Sequence, residues 1–340
     1  GNETNSFGRP GGSLSHSIIE GSGGSDNWVN SFGIDGGDNF DTDPWFARKS
    51  NPVDSPTSAG DFHLLRDSPA TDAGDNDAEH LPAQDLDGED RKQDDNSDGE
   101  DEVDMGAYEG GEEAPIYKVK EPVGDMDVGG DGLEWETAFD HLQDALAVSG
   151  GGIQIWVAAG TYYPDEQDGE DSGERSSSFI IPSGVKVYGG FNGTETDTIQ
   201  RVNYGVGEDN ETILSGDIDK DGPQTVNAYH VVTLLDASEE TVLDGFIITS
   251  GNANGGGYQN IGGGVFNENG SPRITNCTIS SNDASSSGGG MYNYANGATA
   301  SPTLINCTIS SNNASSSGGG FYNIQHAGAT ANPILINCIV

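Results

Sequence analysis

The chain has 340 residues, a length that accommodates one or two domains. Its 13 Lys and Arg residues stand against 56 Asp and Glu residues, which gives a formal net charge of −43 at pH 7. This charge argues against nucleic acid and anionic lipid as direct partners unless cations intervene. No apolar stretch is long enough to span a membrane, so the sequence predicts no membrane insertion in this segment.

The first residues of the chain show the pattern of short strands. SLSHSIIEGS (Ser13–Ser22) alternates between apolar and polar residues, and DNFDTDPWF (Asp38–Phe46) is predicted to be a loop that closes this segment. Residues 51–109 are rich in Asp and Gly, and residues 110–115 (GGEEAP) are predicted to be a linker. A second unit then begins at residue 116.

One segment of this second unit has the pattern of a helix, Thr137–Val148. Thr137 is a plausible N-cap, an apolar stripe follows it at helical spacing, and three glycines (150–152) end it. Because the first strand of a stacked coil exposes an open edge, we expect this helix to cap that edge.

The C-terminal part of the chain contains one segment in three copies. SPRITNCTISSNDASSSGGGMYN (Ser271–Asn293) is followed by SPTLINCTISSNNASSSGGGFYN (Ser301–Asn323) and then by NPILINCIV (Asn332–Val340). A less exact copy, Thr241–Asn267, precedes them, with Gly245 aligned to the cysteines. The cysteines recur at a period of 30 and then 31 residues, which is typical of a solenoid.

The contents of one repeat predict a parallel β-helix. Each copy holds a short β-prone run, a Ser/Asn tract, three glycines and an aromatic residue before Asn, and none of these has helical periodicity. Stacked rungs at the ordinary strand spacing of roughly 4.8 Å place equivalent residues in ladders. The predicted ladder residues are Cys277, Cys307 and Cys338, together with Asn276, Asn306 and Asn337. We expect free buried thiols, because a disulfide between rungs has unfavourable geometry and leaves one Cys over, and a metal site lacks further ligands.

These repeats resemble the right-handed parallel β-helix (pectin-lyase-like) proteins of bacterial surfaces. The run NCTISSNDASSSGGG, followed by an aromatic residue and Asn, is similar to rungs of polymorphic outer-membrane and adhesin-type proteins. SPATDAGD (Ser68–Asp75), DLDGEDR (Asp85–Arg91) and VDMGAYE (Val103–Glu109) resemble their choice-of-anchor Q segment. Trp135–Pro164 and Val185–Thr196 are similar to the start of their β-helix. The resemblance implies an all-β, right-handed parallel β-helix with one short capping helix and an Asp/Gly-rich loop segment.

In the order that this resemblance implies, residues 1–109 are the last rungs and the Asp-rich terminal segment of a preceding solenoid. Residues 110–115 link them to residues 116–340, the capping helix and the first and middle rungs of the next solenoid. The rung phase continues, with a small slip, from Cys338–Val340 into Gly1–Gly12. We therefore expect the chain to be one period of a tandem array whose copies stack head to tail. The alternative is an ordinary fragment with accidental ends.

Three acidic runs have the residue types of calcium loops. Carboxylates at alternate positions with a nearby glycine supply the hard oxygen ligands that Ca²⁺ prefers. The predicted ligands are Asp217, Asp219 and Asp221; Asp94, Asn96, Asp98 and Glu100; and Asp125, Asp127 and Asp131. The first run is not an EF-hand, since Ala228 stands at the twelfth position, where an EF-hand requires an acid. The alternative for each run is a solvated acidic loop.

The sequence favours a non-enzymatic extracellular protein: a structural repeat of a surface adhesin, stalk or fibre. No signal peptide begins at Gly1, so we expect the chain to be a mature part of something longer. Asn313, in an Asn-x-Ser triplet of the polar tract, is the best candidate for glycan attachment. The alternative is a β-helix that binds or cleaves carbohydrate. Arg273 is the one basic residue of the sequence between Asp244 and Val340, which disfavours a lyase-type Arg or Lys base on the central rungs. The candidate sugar-stacking residues of this alternative are Trp28, Tyr162, Tyr163, Tyr292 and Tyr322.

Overall fold

The computed structural model describes residues 12–49, 60–94, 99–121, 130–167, 170–171, 173–220, 222 and 226–340. The chain divides into two compact units. The first comprises Gly1–Ala114 with Gly150–Gly152, and the second comprises Pro115–Ser149 with Ile153–Val340.

The second unit consists of parallel strands that lie in four sheets, here called sheets A to D. Sheet A contains Ile116–Val119, Gln154–Ala158, Lys186–Phe191, Val242–Asp244, Arg273–Thr275, Thr303–Ile305 and Ile334–Ile336. Sheet B contains Gly160–Tyr162, Thr212–Ser215, Ile247–Thr249, Thr278–Ser280 and Thr308–Ser310. Sheet C contains Phe179–Ile180, Val232–Leu235, Val265–Glu268, Met291–Ala295 and Phe321–Gln325. Sheet D contains Asn252–Ala253, Asp283–Ala284 and Asn313–Ala314.

The chain visits these sheets in the order A, B, D and C before it returns to sheet A one rung further on. It is therefore an all-β parallel β-helix. Among the described residues of this unit, a short antiparallel hairpin and three 3-10 turns lie outside the four sheets. They are Glu166–Gln167 with Glu170–Asp171, and Trp135–Thr137, Thr198–Gln200 and Gly257–Asn260.

Left-handed backbone makes the corners of each rung. In one rung Asn276, Ser281 and Gly288 have φ of 52°, 58° and 67°. The glycines that follow Gly288 are required for a second reason. A Cβ on Gly289 would lie 2.1 Å from the Asn313 carbonyl oxygen of the next rung. The glycine triplets therefore allow close approach between rungs.

The core of the second unit is a set of apolar columns inside the coil. In sheet A the pairing aligns Tyr117, Ile155, Val187, Leu243, Ile274 and Leu304. Each of these side chains is at most 2% exposed. Similar columns line sheet B (Tyr162, Leu214, Ile248, Ile279, Ile309) and sheet C (Phe179, Val232, Val265, Met291). Because successive side chains of a strand alternate, every second residue enters this core.

The helix is shorter than predicted. In the described part of the chain the one α-helix is Leu142–Val148, and a separate 3-10 turn covers Trp135–Thr137. The prediction of Thr137 as the helix N-cap was wrong, because Phe139 is extended and pairs with Val119 at the edge of sheet A. The helix buries Leu142, Ala145, Leu146 and Val148. It packs on Ile116–Val119 and Phe179–Ile180, the first strands of sheets A and C, and so covers that end of the coil.

The first unit has short strands and many turns. Ser13–Leu14 pairs in parallel with Ile34–Asp35, and Asp61–Leu65 lies between antiparallel Phe46–Arg48 and parallel Gly111–Glu112. The described part of this unit includes the 3-10 turns Ser25–Asn27 and Asn30–Phe32. The segment predicted as a linker, residues 110–115, thus supplies a strand to this unit.

Two acidic side chains organise the turns of the first unit. Asp85 Oδ1 accepts hydrogen bonds from the backbone N–H groups of Asp87, Gly88 and Glu89. Glu109 is buried and forms an ion pair with Arg91, with 2.9 Å between Arg91 Nη1 and Glu109 Oε1. Because these carboxylates satisfy local donors, the Asp-rich segment folds with few regular elements.

Candidate functional surfaces

A ladder of asparagines follows one corner of the β-helix. Asn276, Asn306 and Asn337 all have left-handed φ, from 52° to 54°. Asn306 Nδ2 donates to Asn276 Oδ1 at 3.2 Å, and Asn337 Nδ2 donates to Asn306 Oδ1 at 3.3 Å. Asn276 Nδ2 donates in turn to Asp244 Oδ2 at 2.7 Å. The ladder joins neighbouring rungs along the axis of the coil.

The cysteines lie beside this ladder and are not in disulfides. Cys277 and Cys307 are buried, and Cys338 is half-buried. Burial raises the pKa of Cys307 to about 11 and raises that of Cys277 well above its ordinary value. The buried thiols therefore remain protonated at neutral pH, where a thiol is a weak nucleophile.

The alignment of Gly245 with the cysteines was wrong by one residue. Asp244 pairs with Thr275 and Ile247 pairs with Thr278, so Gly245 lies opposite Asn276 and Phe246 lies opposite Cys277. Gly245 has a φ of 83°. The corner requires left-handed backbone, which both Gly and Asn adopt, and the column beside it requires an apolar side chain.

A second asparagine ladder lies inside the coil on sheet C. Asn267 and Asn293 are fully buried, and Asn267 Nδ2 donates to Asn293 Oδ1 at 2.6 Å. Asn293 Nδ2 donates to Asn323 Oδ1 at 2.7 Å and to the Ala300 carbonyl at 2.8 Å. We did not single out these residues from the sequence. Their recurrence after the aromatic residue in each repeat was the available signal.

The two ends of the second unit differ in exposure. Leu335 continues the inner column of sheet A, where Leu304 is fully buried, yet Leu335 is 40% exposed. Its neighbours Ile334 and Ile336 are 52% and 45% exposed. At the opposite edge of sheet A, Phe139 and the helix cover Ile116–Val119. In the described part of the chain, Ile334–Ile336 is the edge strand of sheet A, and it presents a partly exposed apolar column.

The predicted calcium ligands are only partly described. Asn96, Asp98, Asp125, Asp127 and Asp221 lie outside the described residues. Asp94 Oδ2 accepts the Gly99 N–H at 3.0 Å, and Glu100 is exposed in the same turn. Asp131 Oδ1 accepts from the Thr137 hydroxyl at 2.6 Å.

The run at Asp217 has the most detailed surroundings. Burial raises the pKa of Asp217, the Gly222 N–H opposes this rise, and the neighbouring Asp219 carboxylate adds to it. Lys220 Nζ lies 2.5 Å from Glu166 Oε1 and 4.9 Å from the Tyr163 ring centroid. Among the described residues, no three His, Cys, Asp or Glu side chains converge in a group that could hold a metal ion. Calcium binding stays a prediction.

The candidate sugar-stacking aromatics do not form one row. Tyr162 belongs to the inner column of sheet B and is 2% exposed, so its ring cannot meet a ligand. Trp28 lies in the other unit, and its indole N–H donates to the Gly33 carbonyl. Tyr292 and Tyr322 do meet, on the outer face of sheet C, with ring centroids 5.3 Å apart.

This outer stripe on sheet C also includes Phe266 and Tyr294. Phe266 stacks on Tyr292 at 6.2 Å with an interplanar angle of 29°, and the Tyr292–Tyr322 angle is 27°. Because each ring covers the face of its neighbour, few faces remain for a sugar, and the stripe mainly stabilises the stack of rungs. Asn313, the glycan candidate, is exposed on sheet D.

The comparisons with known proteins agree with the repeat architecture. A family model described as "Protein of unknown function (DUF1565)" matches residues 128–340. The chain belongs to the DUF1565 family. Residues 128–340 cover most of the β-helix unit of this DUF1565 protein. Comparisons with curated proteins and with solved structures gave no match. In the described residues no helix has the length and apolarity that crossing a membrane requires.

Proposed function

We propose that this DUF1565 protein is a non-enzymatic, extracellular structural repeat of a surface adhesin, stalk or fibre. Its solenoids stack head to tail, with residues 1–109 of one copy continuing the coil that residues 116–340 of another copy begin. The observation that carries the proposal is the 40% exposure of Leu335 in a column whose preceding member is fully buried. A further rung placed there removes this apolar surface from water and pairs the open strand edge.

The internal bonding of the coil suits a load-bearing role. Backbone hydrogen bonds and both asparagine ladders run from rung to rung, parallel to the axis. A pulling force along the axis therefore loads many hydrogen bonds together. The resemblance of residues 68–109 to a choice-of-anchor Q segment supports the surface location.

The stacking proposal is tested with a charge on the open rung. We expect the wild-type chain to associate with increasing concentration in sedimentation velocity, and Leu335→Lys to remain monomeric because a buried unpaired lysine is unfavourable. Ile199→Lys is the matched control, since Ile199 is 84% exposed in the same unit. A monomeric wild-type chain at every concentration, or association that Leu335→Lys leaves unchanged, would contradict the proposal.

Calcium is the cofactor in this proposal. The net charge of −43 makes self-association costly, and Ca²⁺ on the Asp-rich loops lowers that cost by neutralising carboxylates. Titration calorimetry of the EDTA-treated chain is expected to show saturable heat with Ca²⁺ and a higher unfolding temperature with Ca²⁺ than with EDTA. A flat titration together with an unchanged unfolding temperature would remove calcium from the account and leave the stacking proposal to its own test.

A further inference from the structure

Three of the chain's 13 basic residues lie on the outer face of sheet A or pack beside it. Lys186 and Arg273 occupy the same register position, on the two sides of Val242. Arg201 lies 5.3 Å from the centroid of the Tyr188 ring, on the same face. Lys186, Arg201 and Arg273 are thus found on the face that carries Tyr188, although they lie far apart in the sequence.

Lys186, Tyr188 and Arg273 border a cleft of roughly 350 Å³, the size range of small-molecule sites. It opens on the side of the coil, away from both of its ends, and combines basic, acidic and aromatic side chains. The cleft is lined by Lys186, Tyr188, Glu239, Glu240, Val242, Arg273 and Thr275.

The basic side chains on this face of sheet A are not all equally available. Arg201 is committed to Asp244, with 2.6 Å between Nη1 and Oδ1 and side chains only 10% and 8% exposed. Lys186 Nζ lies 3.8 Å from Glu240 Oε2. Arg273 is exposed, and in the described part of the chain it has no ion pair. The guanidinium of Arg273 is therefore the cation that a ligand meets, with Lys186 beside it.

The mixture of charges restricts the ligand. A guanidinium binds a carboxylate through two parallel hydrogen bonds. Glu239 and Glu240 accept hydrogen bonds and repel further negative charge, which disfavours polyanions. They suit a ligand whose remaining polar groups are hydroxyl donors, and Tyr188 adds an apolar surface for the body of the ligand.

We propose that this cleft binds a sugar acid: a ligand of one or two sugar rings that carries one carboxylate and several hydroxyls. Its carboxylate is held by Arg273 and Lys186, and its hydroxyls donate to Glu239 and Glu240. This binding role goes beyond the structural function and does not depend on end-to-end stacking, because the cleft lies on the side of the coil.

The test uses D-glucuronate as the probe, observed by saturation-transfer NMR with the whole chain. We expect saturable binding with a dissociation constant of about 1 mM or weaker, since a single ring forms few contacts. Arg273→Gln is expected to weaken binding by about tenfold or more, because a charged hydrogen-bonding partner is lost. Arg273→Lys keeps the charge but loses the bidentate hydrogen-bonding geometry. Its affinity for D-glucuronate is expected to lie between those of the wild-type chain and Arg273→Gln.

The controls separate the parts of the proposal. Arg66→Gln removes the same charge from an exposed site in the other unit and is expected to leave binding unchanged. D-Glucose lacks the carboxylate and acetate lacks the hydroxyls, so both are expected to bind more weakly than D-glucuronate. Absence of saturable D-glucuronate binding, equal binding by Arg273→Gln, or equal binding of D-glucose or acetate would each overturn the proposal.

Discussion

His63 holds two segments of the first unit together through both of its ring nitrogens. Nδ1 lies 2.5 Å from Asp61 Oδ1, and Nε2 lies 2.7 Å from Asp87 Oδ2. The ring also packs on Tyr108 with centroids 4.0 Å apart. Two carboxylate partners require an N–H on each nitrogen, so this arrangement favours imidazolium.

This arrangement gives the first unit a pH-dependent stability. Burial alone lowers the pKa of His63, but the hydrogen bonds and charges of Asp61 and Asp87 outweigh it, so the pKa is raised above 6.5. The contribution of His63 to the stability of the first unit is therefore complete below the unfolded-state pKa of about 6.5. It disappears as the pH rises through the raised folded-state pKa. We expect the urea midpoint of the first unit to fall over this range.

Substitution tests whether His63 causes this pH dependence. In His63→Gln we expect the fall of the urea midpoint with pH to vanish. In His80→Gln we expect it to persist, because the His80 side chain is 90% exposed in the same unit. Chemical denaturation followed at a series of pH values measures both. An unchanged decline in His63→Gln would assign it to another group.

At the scale of elements, the strand register could be predicted from the repeats. The irregular features could not. Cys277, Cys307 and Cys338 recur at fixed spacing, and that spacing placed the rungs of residues 271–340 on one another. The helix start was missed because Phe139 is recruited to the strand edge, a tertiary contact that a local apolar stripe does not reveal. Gly245 was misaligned because its copy diverges from the others. The left-handed backbone of this corner is adopted by Gly245 in that copy and by asparagine in the later copies.

The candidate sites that lie within a repeat were predictable from the sequence, and those formed by residues of different segments were not. The outer asparagine corner follows from the repeat alone, whereas the cleft combines Lys186, Glu239 and Arg273 from segments that share no motif. The predicted sugar-stacking set failed for Tyr162 because alternation turned its ring inward. Local spacing identifies ladders, but it does not identify surfaces assembled from distant rungs.

The inner asparagine ladder is expected to be a large contributor to the stability of the β-helix. Asn293→Asp keeps the shape of the side chain but removes the N–H groups that donate to Asn323 and Ala300, and it buries a charge. We expect a loss of about 3–5 kcal/mol in the free energy of unfolding at neutral pH. The loss is expected to be smaller in acid, where the carboxyl is protonated.

Asn296→Asp is the control for this substitution, since Asn296 is exposed in the loop after the same strand. It is expected to change the free energy of unfolding by no more than about 0.5 kcal/mol. Calorimetric unfolding of the two variants beside the wild-type chain measures the difference. Equal effects of the two substitutions would show that the buried ladder is dispensable.

At the scale of the whole molecule, the described residues of the second unit cover its first strands with a helix and leave the strand Ile334–Ile336 exposed. The helix Leu142–Val148 packs on the first strands, while Leu335 leaves the inner column open at the last. The large negative charge opposes association of copies, so stacking depends on the apolar and hydrogen-bonding surface of the last rung. The central claim of the account is that this rung is continued by another.

The most direct test is hydrogen exchange of backbone amides on the open rung as the chain concentration is raised. The account predicts that exchange slows in residues 334–339 as copies stack, while the covered strand Ile116–Val119 keeps the same rate at all concentrations. Rapid exchange of residues 334–339 at every concentration, under conditions where copies associate, would contradict it.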